Sequence, residues 1–263
     1  MCLIVFAWKA HPAYSLVLAA NRDEFFSRPS MPLDYWDDLS DVLGGRDLQK
    51  GGSWLAANVD GRWAAVTNFR DGRASPPSGL SRGQLVRDYV ASSEQAEDYA
   101  LGVARPLADY PGCNLLIGDA DSLFFVSNRY EVVCAEQAAE VAPGLHGLSN
   151  HLLDTPWPKV ERGKRTMQRL LDVDSSALVD RLFDFLADRA PARDDELPST
   201  GVPYEWERTL SAPFIVADGY GTRASTVVLI AHDGTVAMHE RSFGVGGSEI
   251  GRRALTFRRE HRA

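Results

Sequence analysis

The chain has 263 residues, a formal net charge of −8 at neutral pH, and 44% hydrophobic against 24% charged residues. That length buries a sizeable core, and the acidic balance argues against a nucleic-acid partner, because phosphate contacts need a basic face. No apolar run approaches the roughly 20 residues that span a bilayer. That length allows one large domain or two small ones; no domain linker or internal repeat breaks the chain, so we expect a single domain over residues 1–263, cytoplasmic and with no membrane span.

The first third reads as β. The run CLIVFAW (2–8) is continuously apolar, as in a strand buried on both faces, and YSLVLAAN (14–21) is a second strand after the turn residues His11 and Pro12. The polar, glycine-rich stretch 44–52 reads as an exposed loop. Residues 53–69 read as a hairpin about Asp60-Gly61, a turn pair with a strong hairpin signal. Residues 71–80 form a Gly/Pro/Ser loop. Residues 81–104 turn helical, with Ser81 as a cap and a break at Ser92 and Ser93, so that a second helix starts at Glu94. A second hairpin follows over 113–128 about Asp119–Ser122, and the β pattern continues through 130–137 and 144–150. Helical spacing returns at 156–172 and 175–190, and 191–203 is a polar, proline-rich loop. The end is β again, over 212–218 and 225–243 with an Asp233-Gly234 turn, before a basic tail. Clustered helices between clusters of hairpins indicate an α+β layered domain with mostly antiparallel sheets. The GVGG stretch at 244–247 follows a strand with no helix-opening fingerprint, so it is not a phosphate loop.

The three cysteines, Cys2, Cys113 and Cys134, have no CxxC spacing, and the histidines show neither HxH nor HExxH, so we expect no metal and no cofactor. No basic segment precedes the apolar residues 3–8, so no secretory signal is expected. Cys2 directly follows the initiator methionine. It is either a small buried hydrophobe or, once Met1 is removed, a thiol that shares its residue with a free α-amine, whose pKa near 7.7–8.0 suits a built-in general base. The segment NRDE (Asn21–Glu24) ends an apolar strand with charged residues, either as a solvated turn or as part of a site. If the first two strands pair antiparallel, it returns beside residue 2. There a cation would depress a thiol pKa and a carboxylate would orient an amine. Alternation puts Asn21 and Asp23 on one face and Arg22 on the other. The tryptophans Trp8, Trp36, Trp54 and Trp63 line either an apolar pocket or the core. A Cys–His pair with His146 or His151 is a further option.

Cys2, NRDE, GGSWLAAN, GRWAAVTNFRD and LSNHLLDTPWPKV together resemble the NRDE family, also called the transport and Golgi organisation family, over essentially the whole chain. That family is similar to N-terminal-nucleophile hydrolases of the choloylglycine hydrolase and penicillin acylase type. The resemblance implies a four-layer αββα sandwich and a cysteine amidohydrolase or acyl transferase acting on a small amide or thioester. By this resemblance Cys2 is the nucleophile. Arg22 and Asp23 match the pair at the end of the second strand, although their spacing of one rather than three leaves Asp23 or Glu24 for the aspartate's role. Asn68 takes the place of an oxyanion-hole asparagine, Asn150 a second polar position, and Arg223 that of a late arginine. The alternative implied by the same resemblance is a non-catalytic binding or trafficking protein for haem, or for acyl-CoA or lipid, on the same fold.

Overall fold

A computed structural model describes residues 3–72, 79–129, 138–173 and 175–259. Cys2, Cys134 and the strand expected over 130–137 lie outside the described residues. No helix among those described is long and apolar enough to cross a membrane.

Among these residues thirteen strands form two antiparallel sheets. The strands are β1 (Leu3–Trp8), β2 (Tyr14–Phe25), β3 (Ser30–Trp36), β4 (Leu39–Asp47), β5 (Leu55–Asn58), β6 (Trp63–Asn68), β7 (Cys113–Gly118), β8 (Leu123–Ser127), β9 (Ala138–Glu140), β10 (Gly144–Leu148), β11 (Tyr220–Ala231), β12 (Thr235–Phe243) and β13 (Glu249–Arg258). One sheet runs β10-β1-β2-β11-β12-β13 and the other β3-β4-β5-β6-β7-β8-β9. Helices α1 (Arg82–Ala91) and α2 (Ala96–Ala104) pack on the second sheet, and α3 (Pro158–Leu170) and α4 (Ser175–Leu186) on the first. The short α5 (Tyr204–Thr209) follows α4.

The layering follows from side-chain alternation. In β1, Ile4, Phe6 and Trp8 enter the core between the sheets with Leu55, Trp63 and Leu116, while Leu3, Val5 and Ala7 pack under α3 and α4. A strand covered on both faces has to be apolar at every position, as β1 is. The architecture is the expected αββα sandwich.

Five local expectations are corrected. NRDE does not end β2, which continues to Phe25, because β11 pairs with it along that length and its polar groups find partners inside. Within 44–52, Gly44–Asp47 belong to β4, and both Gly44 and Gly45 are buried. Residues 212–218 are not a strand: Val216 makes an isolated bridge to Gly221, while Ile215 bonds through N and O to Thr222 and Phe214 N donates to the Asp188 carbonyl. The basic tail is mostly β13, an edge strand whose exposed charges suit an edge. Ser81 does precede α1, but its side chain makes no cap hydrogen bond.

Candidate functional site

The ends of β1, β2 and β10 converge. Leu3 pairs with Asn21 of β2, and Ile4 pairs with both Ala20 of β2 and Leu148 of β10. Asn21 is fully buried and braces this corner. Its Nδ2 donates to the carbonyls of Leu186 and Pro213, both at 2.8 Å, and its Oδ1 accepts from Ser225 Oγ at 2.6 Å. Asp23 lies on the same helix-facing side, 2% exposed, with Oδ1 accepting from Thr222 Oγ1 at 2.7 Å. Glu24 is the more exposed carboxylate; its Oε1 accepts from the Phe25 amide and its other oxygen lies 3.8 Å from Arg28 Nε. Burial therefore separates the two acids that the sequence left as alternatives.

Arg22 takes the opposite face, toward the gap between the sheets. Its guanidinium lies 4.1 Å from the Trp54 ring centroid, and Nη1 donates to Ser30 Oγ at 3.4 Å. The residue is 4% exposed, yet no carboxylate among the described residues forms an ion pair with it. Burial pushes its pKa down to about 10, partly offset by Glu24, so it stays charged near neutrality.

Arg223 comes to this edge through a β-bulge. Thr222 pairs with Asp23 and Ala224 with Arg22, so Arg223 is the extra residue of β11. Its Nη1 donates to the carbonyls of Phe25 and Arg28 at 2.9 and 3.0 Å, tying down the turn after β2.

Asn68 ends β6 in the facing sheet. Its backbone carbonyl accepts from Asn150 Nδ2 at 2.9 Å, which joins the two sheets at this corner. Its own side-chain amide makes no hydrogen bond among the described residues and lines a 190 Å³ hollow shared with Arg22, Glu24 and Trp54. Arg70 supports the contact from behind. Its amide donates to the Asn150 carbonyl at 2.7 Å, Nη2 to Asn150 Oδ1 at 3.3 Å, and Nη1 to Glu207 Oε2 at 2.8 Å. The structure thus brings Asn68 and Asn150 into contact, and places Arg22 and Arg223 on neighbouring strands.

Three participants were not identified from the sequence: the Arg70–Glu207 pair, the role of Trp54 as the stacking surface for Arg22, and Glu240. Glu240 carried a legible signal, being a charge where the alternation of Val236 and Met238 calls for an inward apolar residue. It is 2% exposed, with Oε1 accepting from the Leu33 amide at 2.9 Å and from Ser242 Oγ at 3.3 Å. Burial pushes its pKa up to about 7. A carboxyl raised on folding binds its proton more tightly in the folded state. Its stabilising share is therefore complete below the ordinary value of about 4.5 and is lost as pH climbs through 7. Urea titrations should show wild type losing about 3 kcal/mol between pH 4.5 and pH 8 from this group. Glu240→Gln, which keeps an acceptor for Leu33, should remove that share of the slope; equal slopes in the two proteins would contradict it.

Gly45 is the reason Trp54 can lie where it does, since a Cβ there would sit 2.0 Å from Trp54 Cζ2. Gly45→Ala should cost about 1–3 kcal/mol in urea unfolding and displace the Trp54–Arg22 stack.

Of the two histidines offered as Cys partners, His146 uses both ring nitrogens on other groups and His151 uses Nδ1, while Cys2 lies outside the described residues. His146 Nδ1 lies 2.7 Å from Asp154 Oδ2 and its Nε2 2.9 Å from the Ala142 carbonyl, and His151 Nδ1 lies 2.9 Å from Thr155 Oγ1. Among the described residues no group of three His, Cys, Asp or Glu is placed to hold a metal ion.

The sequence model of the family described as Transport and Golgi organisation 2 matches residues 1–244. The chain belongs to that family. A bovine Transport and Golgi organization protein 2 homolog is 35% identical over 263 residues, spanning 92% of this chain and 93% of its own length. The human Transport and Golgi organization protein 2 homolog is 32% identical over 261 residues, with the same shares. Among solved structures, the Caenorhabditis elegans N-acylethanolamine-hydrolyzing acid amidase ortholog superposes with a TM-score of 0.51 over 87% of this chain and 92% of its own, at 10% identity. That likeness is one of fold alone, and it agrees with the αββα layering of this Transport and Golgi organisation 2 family chain.

Proposed function

We propose that this chain is an N-terminal-nucleophile cysteine amidohydrolase or acyl transferase acting on a small amide or thioester. The observation that carries the reading is the Asn68 side-chain amide. It is uncommitted among the described residues and faces a hollow beside a buried Arg22 that has no ion pair there. A structural asparagine at a strand end would be consumed by its own turn; a donor left open beside a cation is what a developing oxyanion needs.

The nucleophile in this reading is Cys2, one peptide unit, about 3.8 Å, ahead of Leu3. Leu3 is the partner of Asn21, so the thiol would work between the ends of β2 and β10. Removal of Met1 frees the α-amine of Cys2. The amine takes the thiol proton as sulfur attacks the carbonyl carbon, and the oxyanion accepts from Asn68. Asn150, fastened to the Asn68 backbone, holds that donor in place and offers its remaining N–H. Collapse of the tetrahedral species expels the amine or thiol leaving group, which takes the proton back from the α-ammonium. Water or a second acceptor then resolves the thioester. Arg22 favours the thiolate, and Asp23, held by Thr222, is the carboxylate that orients the amine. Arg223 anchors the turn and adds positive potential.

Intact mass and alkylation test this together. The mature protein should be lighter by one methionine and should take iodoacetamide at Cys2 first. Cys113 offers no competing thiolate, because burial pushes its pKa up to about 12. A mature protein that keeps Met1 would overturn the mechanism, since the amine would then belong to the wrong residue.

A further inference from the structure

The hollow at Asn68 has a neighbour. A 260 Å³ cleft between β3, β11, β12 and β13 shares Arg22 and Trp54 with it, and is lined further by Arg223, Glu240, Arg252 and Arg253. Met31, Phe243 and Ile250 supply apolar wall. Four arginines against one carboxyl make this a strongly positive cavity. Arg252 and Arg253 at the rim are offset by Glu249 and Asp34, both exposed pairs. The inner two feel Glu24 only at a distance and form no ion pair among the described residues. Arg22 is buried without an ion pair among the described residues, and Arg223 uses Nη1 on two carbonyls with no carboxylate bonded to it there. A buried guanidinium beside a second cation is costly unless something anionic occupies the space. Glu240 offsets them only in part: its oxygens bond to the Leu33 amide, Ser242 and Thr226 and to no guanidinium among the described residues, and its burial favours the neutral acid.

We propose that this cleft is a subsite for an anionic oxygen-bearing end group, a carboxylate or a phosphate, held between Arg22 and Arg223. It rests on the acyl-transfer reading for its consequence: the substrate is an acyl amide or thioester whose far end is anionic, lying across the Arg22–Trp54 stack with its carbonyl at Asn68. Arg22 would then meet both ends of the substrate, which is why it lines both hollows. The planar fork of arginine matches carboxylate and phosphate oxygens in pairs, and the apolar wall accepts the adjoining carbon chain.

The test is binding, not turnover. Full-length wild type and Cys2→Ala are titrated calorimetrically with N-dodecanoylglycine, its neutral amide N-dodecanoylglycinamide, and dodecyl phosphate. At least one anionic probe should bind tenfold or more tightly than the neutral one, and the tighter of the two anions names the source. Arg223→Gln should abolish most of that preference and Arg223→Lys should retain part of it. Should Arg223→Gln fail to fold, the partial loss in Arg223→Lys carries the test, since an ammonium cannot take two anion oxygens as a planar fork. Equal binding of charged and neutral probes, or a preference untouched in these folded variants, overturns the subsite. Anion preference without any turnover of amide or thioester leaves the subsite standing and removes the enzymatic reading instead.

Discussion

Cys2→Ala is expected to abolish turnover of any amide or thioester substrate, by roughly 10⁴-fold or more in kcat, while leaving the thermal unfolding midpoint near that of wild type. The stability expectation follows from position. The strand proper begins at Leu3, and the corner is held by Asn21 and Asp23 through bonds to Leu186, Pro213, Ser225 and Thr222, none of which needs the thiol. Cys2→Ser should keep a small residual rate, because a hydroxyl with the same neighbouring amine is a weaker nucleophile of the same geometry. Asn68→Ala should lower kcat by about 10²–10³-fold with little change in substrate affinity, the signature of a donor that matters only when the oxyanion forms. Full activity in Cys2→Ala would end the covalent mechanism, and the cleft would then be a binding site for intact ligand.

Glu207→Gln is expected to be the most destabilising conservative change near the site, by about 3–5 kcal/mol. The Arg70 and Glu207 side chains are only 8% and 5% exposed, so removal of the carboxylate leaves an uncompensated guanidinium under the surface. Glu207 also accepts from Thr200 through both its amide and its hydroxyl, at 2.7 and 2.6 Å, so two further donors lose a charged acceptor. The consequence should reach catalysis. Arg70 stacks over Trp157 at 4.8 Å and carries Asn150, which carries Asn68, so kcat should fall along with the urea midpoint. If the cost lies in the stranded charge, Arg70→Met/Glu207→Leu should recover much of the stability but not the rate. A loss below 1 kcal/mol in Glu207→Gln would show that water reaches the pair.

The layered fold was legible because its signals are local. A continuous apolar run such as residues 3–8, rich in β-branched and aromatic residues, fits a strand covered on both faces, and Asp60-Gly61 and Asp233-Gly234 mark turns by the backbone they permit; Gly61 and Gly234 adopt φ of +89° and +85°. The antiparallel return of β2 beside β1 was legible for the same reason, and with it the arrival of Arg22 and Asp23 at the start of the chain. Alternation separated the faces of Asn21 and Asp23 from that of Arg22, as the Leu186 and Trp54 contacts bear out.

What the local signals misjudged were polar residues inside strands. NRDE, the Gly44–Asp47 segment and the basic tail all look like solvated chain, because a local pattern scores polarity and cannot see a partner strand. Ladder pairing of β2 with β11, and of β4 with β3 and β5, satisfies those backbones, and the side chains find acceptors far along the chain. The site depends on the same long-range pairings. Arg223 reaches the Arg22 edge only because β11 bulges there, Asn150 meets Asn68 only where the two sheets close, and Glu207 reaches Arg70 across a separation of 137 residues. The sequence by itself determined the layers, the strand that holds the N-terminus and the residue types available for chemistry, since each is a matter of period and turn. Tertiary structure alone decided which of Asp23 and Glu24 is buried, which asparagine amide stays open and where a guanidinium without an ion pair meets a cavity, the last two among the described residues, since each depends on groups that only the closed sandwich brings within bonding distance.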